Sequence, residues 1–147
     1  MHAYFLSDLH LTDDHGDHAS QFINWLDAQS AGESSVQVFL MGDIFDLWIA
    51  AHPYFVTKFK RVVTAIESAR RRGIHFIYFE GNHDLYLKDF WQEQMGIPVY
   101  SEAAYFTVDD TYLRVEHGDQ IDLEDKGYRF LRWFLRTTAV FPKRPHS

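Results

Sequence analysis

Short apolar runs that stop abruptly at polar residues recur along the first half of the chain. Residues 3–6, 36–41 and 74–79 are such runs, and each leads into a segment rich in glycine or acidic residues. Runs of this length, bounded by turn residues, are typical of buried β-strands. The pattern therefore predicts three buried strands before residue 80.

Between the strands, apolar residues recur at helical spacing. The clearest case is residues 55–69, where an apolar face opposes a basic one and Gly73 follows as a natural C-cap. The same spacing predicts four helices in all, over residues 19–28, 55–69, 87–95 and 124–138.

Residues 103–108 and 112–115 alternate around Asp109-Asp110, which predicts an antiparallel hairpin. The alternation of strands and helices before it predicts an α/β domain with a largely parallel sheet. No linker or repeat divides the sequence, so we expect a single domain over residues 1–147.

Composition narrows the chemistry. The chain has no cysteine but nine histidines, which excludes disulfides and thiolate metal sites and leaves imidazole and carboxylate as ligands. The formal charge of −7 argues against nucleic acid as a partner. No apolar run approaches the ~18 residues of a membrane span, so we expect a cytoplasmic protein. The oligomeric state is left open.

Each of four predicted strands leads directly into a polar cluster. The clusters are Asp8-Leu9-His10, Gly42-Asp43, Asn82-His83-Asp84 and His117-Gly118-Asp119. Ligands of open α/β sheets bind beyond the carboxyl ends of the strands, so the clusters should converge on one rim. Aspartate, histidine and asparagine together suit manganese, iron or zinc. Asp43 is the candidate bridging carboxylate of a two-metal site, because Gly42 allows a sharp turn there.

These clusters, in this order, resemble the successive motifs of the calcineurin-like metallophosphoesterase family. The resemblance extends from Tyr4 to about Arg136. Within the family it is strongest to the bacterial branch that hydrolyses UDP-2,3-diacylglucosamine in lipid A biosynthesis. Three segments carry this narrower match, namely Leu47-Trp-Ile49, Leu85-Tyr-Leu87 and Asp125-x-x-Tyr128-x-x-Leu131-Arg132.

The resemblance implies a sandwich of mixed β-sheets flanked by helices, with two divalent ions, manganese first and iron or zinc as alternatives. It assigns Asp8 and His10 to the first ion, Asp43 to both, and Asn82 and His117 to the second. It also makes His83 a catalytic residue beside the phosphate and Asp84 the residue that orients His83. Substrate contacts are implied at Asn82, Asp125, Tyr128 and Arg132.

Two features depart from the family pattern. The lipid A enzymes carry arginine where this chain has His83. The family also completes its metal site with a downstream Gly-His-x-His segment, which this sequence does not contain. We therefore expect a truncated domain that lacks the C-terminal strands and has an incomplete metal site.

The function that the resemblance implies is hydrolysis of UDP-2,3-diacylglucosamine to UMP and the acylated sugar 1-phosphate. Residues 124–141 would form a helical cap for the substrate, with peripheral contact to the inner membrane. One alternative is a general phosphodiesterase or nucleotide phosphatase of the same fold. Another is a catalytically incomplete fragment or a binding module.

Overall fold

The structure, a computed structural model, describes residues 1–30, 32, 35–117 and 135–137. Within these ranges strands and helices alternate as far as a hairpin, and one further short strand follows. The strands are β1 His2–Leu6, β2 Val36–Leu40, β3 Trp48–Ile49, β4 His75–Phe79, β5 Asp84–Leu85, β6 Val99–Tyr100, β7 Ala104–Val108, β8 Thr111–Val115 and β9 Leu135–Thr137. The helical segments are α1 Asp17–Ala28, α2 Pro53–Lys58, α3 Lys60–Arg71 and one π-helical turn, Lys88–Gln92.

The main sheet has the strand order β6-β4-β2-β1-β9. Strands β1, β2, β4 and β6 are parallel, and β9 runs antiparallel to β1. The register pairs Leu6 with Leu40 and Leu40 with Tyr78, so the three central strands reach the same edge together. The predicted α/β fold with a parallel sheet is confirmed.

Both faces of this sheet are covered. On one face Val38 and Leu40 pack in the cluster that includes α1 and α3, whereas Phe39 points to the other face. There it joins the predicted hairpin, β7 and β8, which contributes Leu113 and Val115. Because neighbouring strand residues alternate between the two faces, a strand covered on both sides is apolar throughout, as β2 is.

The helix predicted over residues 55–69 is in fact two helices, because the backbone turns at Phe59, with φ −107° and ψ 28°. The buried Asp14 carboxylate accepts the N–H groups of Arg61 at 2.5 Å and Val62 at 3.1 Å. These are donors of the first turn of α3, so Asp14 caps this helix from a distant loop. Gly73 ends α3 with φ +93°, as predicted.

Two other helix predictions need correction. Of residues 87–95, only Lys88–Gln92 are assigned as helical, in a π-helical turn. The helix predicted over residues 124–138 is wrong at its end, since Leu135–Thr137 form β9. Pairing with β1 satisfies backbone groups at the open edge of the sheet, and this outweighs local helical preference. The other residues of that helix and of the predicted cap over 124–141 lie outside the described residues. None of the helices in the described ranges could cross a membrane, judged by length and apolar character.

Candidate metal centre

The loops that follow β1 and β2 continue to pair beyond the strands. The N–H of Asp8 donates to the carbonyl of Gly42 at 3.2 Å, and that of His10 donates to the carbonyl of Asp43 at 3.0 Å. The backbone of the first two polar clusters is therefore held side by side. This confirms their predicted convergence at the carboxyl edge of the sheet.

Consecutive parts of this rim have left-handed backbone conformations. The φ angles are 54° at Asp8, 45° at His10 and 52° at Asp43, with 88° at the adjacent Gly42. Such angles are uncommon for residues other than glycine, cost of order 1–3 kcal/mol each, and persist only where the surroundings enforce them. Three candidate metal ligands are thus among the six non-glycine residues with positive φ in the described part of the chain.

Asp8, His10 and Asp43 form the first ligand group. One ligand atom from each lies within 4.8 Å of those of the other two. His10 Nε2 is 3.5 Å from Asp8 Oδ1. Two carboxylates and one imidazole at this spacing suit a divalent ion of the manganese, iron or zinc kind.

His117 is a further neighbour of Asp43. Its Nδ1 atom is 2.5 Å from the carbonyl oxygen of Met41, and a carbonyl can only accept, so Nδ1 carries the proton. The lone pair is then on Nε2, which lies 3.5 Å from Asp43 Oδ2. A backbone carbonyl that fixes the tautomer in this way is typical of metal-binding histidines. Asp43 thus belongs to the first group and also lies close to His117.

The Asp43 carboxyl group is ionised at neutral pH. Burial alone would raise its pKa, but His117, the backbone N–H of His83 and the nearby His10 together bring the pKa below its ordinary value. The His83 N–H donates to Asp43 Oδ1 at 2.9 Å. The carboxylate can therefore bind cations without first losing a proton.

Asp84 does not have the role that the sequence analysis gave it. Its buried carboxylate accepts hydrogen bonds from four donors instead of orienting the ring of His83. The donors are the backbone N–H groups of Asp43, Ile44 and Gly81 and the hydroxyl of Tyr78. Burial raises the pKa of Asp84, and these hydrogen bonds oppose that rise. Asp84 is fully buried on β5, beneath the loops that follow β2 and β4, and its carboxylate is taken up by the backbone of those loops.

The His83 ring is oriented by Asp46. His83 Nδ1 is 2.8 Å from the backbone carbonyl of Asp46, which places the proton on Nδ1 and the lone pair on Nε2. The ring is exposed and stands edge-on to that of His10, with the ring centroids 5.1 Å apart. Asp46 also lies near His10, with 3.9 Å between Asp46 Oδ1 and His10 Nδ1.

His10, Asp46 and His83 thus form a second potential ligand group. From the sequence Asp46 was expected to be a hydrogen-bonding loop residue and not a ligand; its carbonyl does hold His83, and its carboxylate also belongs to this second group. The sequence analysis missed Tyr78, which no motif marks.

Asn82 is exposed, and it lies between Gly81 and His83, whose backbones approach Asp43 and Asp84. Its proposed roles in binding metal and substrate stay predictions. The three remaining predicted substrate contacts, Asp125, Tyr128 and Arg132, lie outside the described residues.

Comparison with known proteins finds relatives that match nearly the whole of this chain. The UDP-2,3-diacylglucosamine hydrolase of Haemophilus influenzae strain PittGG is 25% identical over 147 residues, covering 96% of this chain and 61% of that protein. The Vibrio cholerae protein of the same name is 25% identical, covering 97% of this chain and 60% of that protein. The chain spans about three fifths of the length of these relatives.

The family-level comparison covers nearly the whole chain. The model of the calcineurin-like phosphoesterases matches residues 1–141, which include all the clusters at the sheet edge. The family match and the candidate metal ligands both indicate a metal-dependent phosphoesterase fold. This chain belongs to the calcineurin-like phosphoesterase family.

Proposed function

We propose that this chain carries the metal centre of a phosphohydrolase that uses two divalent ions. The observation that supports this most is the position of Asp43, which lies within reach of Asp8 and His10 and also of His117. Asp8 and His10 would hold one ion, Asn82 and His117 the other, and Asp43 would bind both. Manganese is the proposed metal, and the same donors suit iron or zinc.

When bound, two such ions polarise a phosphoryl group and lower the pKa of a water molecule that attacks it. The part of His83 is to move a proton. Its Nδ1 donates to the Asp46 carbonyl, so Nε2 is the atom that would take up a proton and pass it to the leaving oxygen.

The substrate that we propose is UDP-2,3-diacylglucosamine, cleaved to UMP and the acylated sugar 1-phosphate. Relatives of that name supply one argument. The surface beside His83 supplies another, because Leu47, Ile49, Leu85 and Tyr86 are exposed there. Register pairs Ile49 with Leu85 between β3 and β5, so these two side chains share one face.

We call these four residues the apolar ridge. An apolar surface next to a phosphate site suits acyl chains. The proposal also keeps Asp125, Tyr128 and Arg132 as substrate contacts in a cap over residues 124–141. Acyl-sugar substrates reside at membranes, so peripheral contact with the inner membrane is part of the proposal.

A second candidate is a general phosphodiesterase or nucleotide phosphatase. His83 favours it, because an imidazole can move a proton whereas arginine is a permanent cation. A substrate with a poor leaving group gains more from a proton donor at this position. A catalytically incomplete fragment or a binding module is the third candidate, since the sequence contains no Gly-His-x-His segment.

Metal content and substrate choice test these proposals together. The protein is produced in cells grown with added manganese, and bound metal is measured by elemental analysis in the wild type and in Asp43→Ala. Asp27→Ala, which removes an exposed carboxylate from α1, is the control. We expect bound manganese, at most two ions per chain, in the wild type and in Asp27→Ala, with loss in Asp43→Ala; one ion in place of two would show that the site is incomplete in this chain. Equal metal content in all three would contradict the centre.

Activity is then compared on UDP-2,3-diacylglucosamine and on bis(p-nitrophenyl) phosphate. Preference for the first supports the acyl-sugar substrate, and preference for the second supports the general phosphodiesterase. Metal binding without hydrolysis of either supports the binding module.

A further inference from the structure

Tyr78 lies near the end of β4 and is fully buried. Its hydroxyl is connected to the candidate metal centre through Asp84. The hydroxyl donates to Asp84 Oδ2 at 2.7 Å. The ring packs against Trp91, with the centroids 5.5 Å apart, and this contact fixes the direction of the hydroxyl. Tyr78 belongs to none of the sequence motifs, so its role depends on what Asp84 does.

Asp84 connects the ends of two strands. Its Oδ1 accepts the N–H of Asp43 at 2.9 Å, beyond β2, and the N–H of Gly81 at 2.8 Å, beyond β4. Its Oδ2 accepts the N–H of Ile44 at 3.0 Å. One carboxylate therefore holds the peptide units before and after the α-carbon of Asp43. This residue has the strained φ of 52°.

Of the donors to Asp84 in the described part of the chain, Tyr78 contributes the side chain and the rest are backbone N–H groups. A carboxylate that is fully buried needs all its lone pairs satisfied, and loss of one donor loosens the remaining hydrogen bonds. The Tyr78 hydroxyl is thus the part of this network that a side-chain substitution can remove alone.

We infer that Tyr78 is a positioning residue of the metal centre. Its hydroxyl fixes the rotamer of Asp84, Asp84 fixes the backbone of Asp43, and Asp43 presents its carboxylate near His10 and His117. This inference rests on the proposed metal site, and it extends the set of residues that build the site to a tyrosine in the core of the sheet.

The test compares Tyr78→Phe with Tyr100→Phe, which removes a hydroxyl from the neighbouring strand β6. Amide hydrogen exchange, followed by NMR in the metal-free protein, reports how well each backbone N–H group is protected. We expect exchange at Asp43, Ile44 and Gly81 to accelerate in Tyr78→Phe, while amides within β2 keep their protection. Tyr100→Phe should leave all of these rates unchanged. A general loss of stability would instead accelerate exchange throughout β2 and β4.

Manganese affinity, measured by titration with EPR detection of free Mn²⁺, is the second readout. Removing outer partners of metal ligands weakens metal binding by about 10- to 100-fold, and we expect about 10-fold for this indirect contact. Unchanged amide exchange in Tyr78→Phe would overturn the inference. So would an unchanged manganese affinity of Tyr78→Phe, if the wild type binds manganese. If the wild type binds no manganese, the proposed function fails, and amide exchange still decides the role of Tyr78.

If Tyr78→Phe does not fold, the hydrogen bond between Tyr78 and Asp84 can still be tested in the wild type. A buried hydroxyl held by Asp84 exchanges slowly with water, so its proton should give a resolved NMR signal with contacts to the Tyr78 ring. The absence of that signal from a well-resolved spectrum would contradict the hydrogen bond on which the inference depends.

Discussion

A β-carbon on Gly81 would lie 2.4 Å from the backbone nitrogen of Asp43 and 2.4 Å from its Oδ1 atom. The loop after β4 therefore touches the loop after β2 without any side chain between them. This contact lets the N–H of Gly81 and the N–H of Asp43 reach the same carboxylate oxygen of Asp84. The geometry of the candidate centre therefore depends on the close approach of these two backbone segments as well as on the ligand side chains.

Gly81→Ala should consequently damage both stability and metal binding. The new methyl group meets backbone, which cannot move aside as a flexible side chain could, so we expect a loss of about 1–3 kcal/mol in the free energy of unfolding. Urea denaturation measures this loss, and elemental analysis measures the metal.

Gly32→Ala is the matched control for this substitution. Apart from its chain neighbours, no atom of the described residues lies within 4 Å of the point where a methyl group on Gly32 would stand. Equal effects of the two substitutions would contradict the close approach of the two loops.

Asp14→Ala should destabilise the protein by about 2 kcal/mol, because it leaves the N–H groups of Arg61 and Val62 without their acceptor at the start of α3. Thermal and urea denaturation measure the change. Asp27→Ala removes an exposed carboxylate from α1 and should change stability by less than about 0.5 kcal/mol. A similar small change in Asp14→Ala would show that the cap contributes little.

His83→Ala should separate metal binding from hydrolysis. The ring is exposed at the rim, and its backbone N–H, which holds Asp43, is kept in the variant. We therefore expect unchanged metal content but a fall in kcat of about 10²- to 10⁴-fold, the usual effect of removing a proton donor. Parallel metal analysis and kinetics on the same preparation check this. Loss of metal along with activity would instead assign His83 to the ligands.

Tyr78 should make the protein sensitive to alkali. Burial, followed by the charge of Asp84, raises the pKa of Tyr78 well above its ordinary value. In the unfolded chain the phenol ionises near pH ~10, whereas in the folded chain it stays protonated. The stabilisation is thus complete below the unfolded pKa and is lost as pH rises from there towards the folded pKa.

Between about pH 9 and 11 the wild type should lose about 1 kcal/mol more stability than Tyr78→Phe. Urea denaturation across this range measures the difference, and phenolate absorbance shows whether Tyr78 ionises only on unfolding. Parallel pH dependence in the two proteins would contradict the raised pKa.

Local patterns in the sequence were enough to predict the parallel sheet and the convergence of Asp8, His10 and Asp43 on its edge. A strand that is apolar throughout reports its own burial, and a polar residue directly after it reports where the strand ends. The hairpin around Asp109 and the glycine stop at Gly73 follow from equally local chemistry.

The features that the sequence did not predict depend on residues far apart in the chain. The break at Phe59 depends on Asp14, and the true role of Asp84 depends on Asp43, Ile44 and Tyr78. Strand β9 forms where the edge of β1 is open, although its own residues continue a helical pattern. In each case a distant backbone group decides, and no local pattern records it.

The position of β9 has a consequence for synthesis on the ribosome. Strand β1 emerges first and gains β2 on one side early, but its other edge waits for Leu135–Thr137. Until residues 135–137 are made, β1 is the edge strand of a sheet that already contains β2, β4 and β6, and its N–H and C=O groups on that side lack β9. Such edges recruit strands from other chains. Nascent chains that stall before residue 135 should therefore depend on chaperones more than those that stall after residue 137.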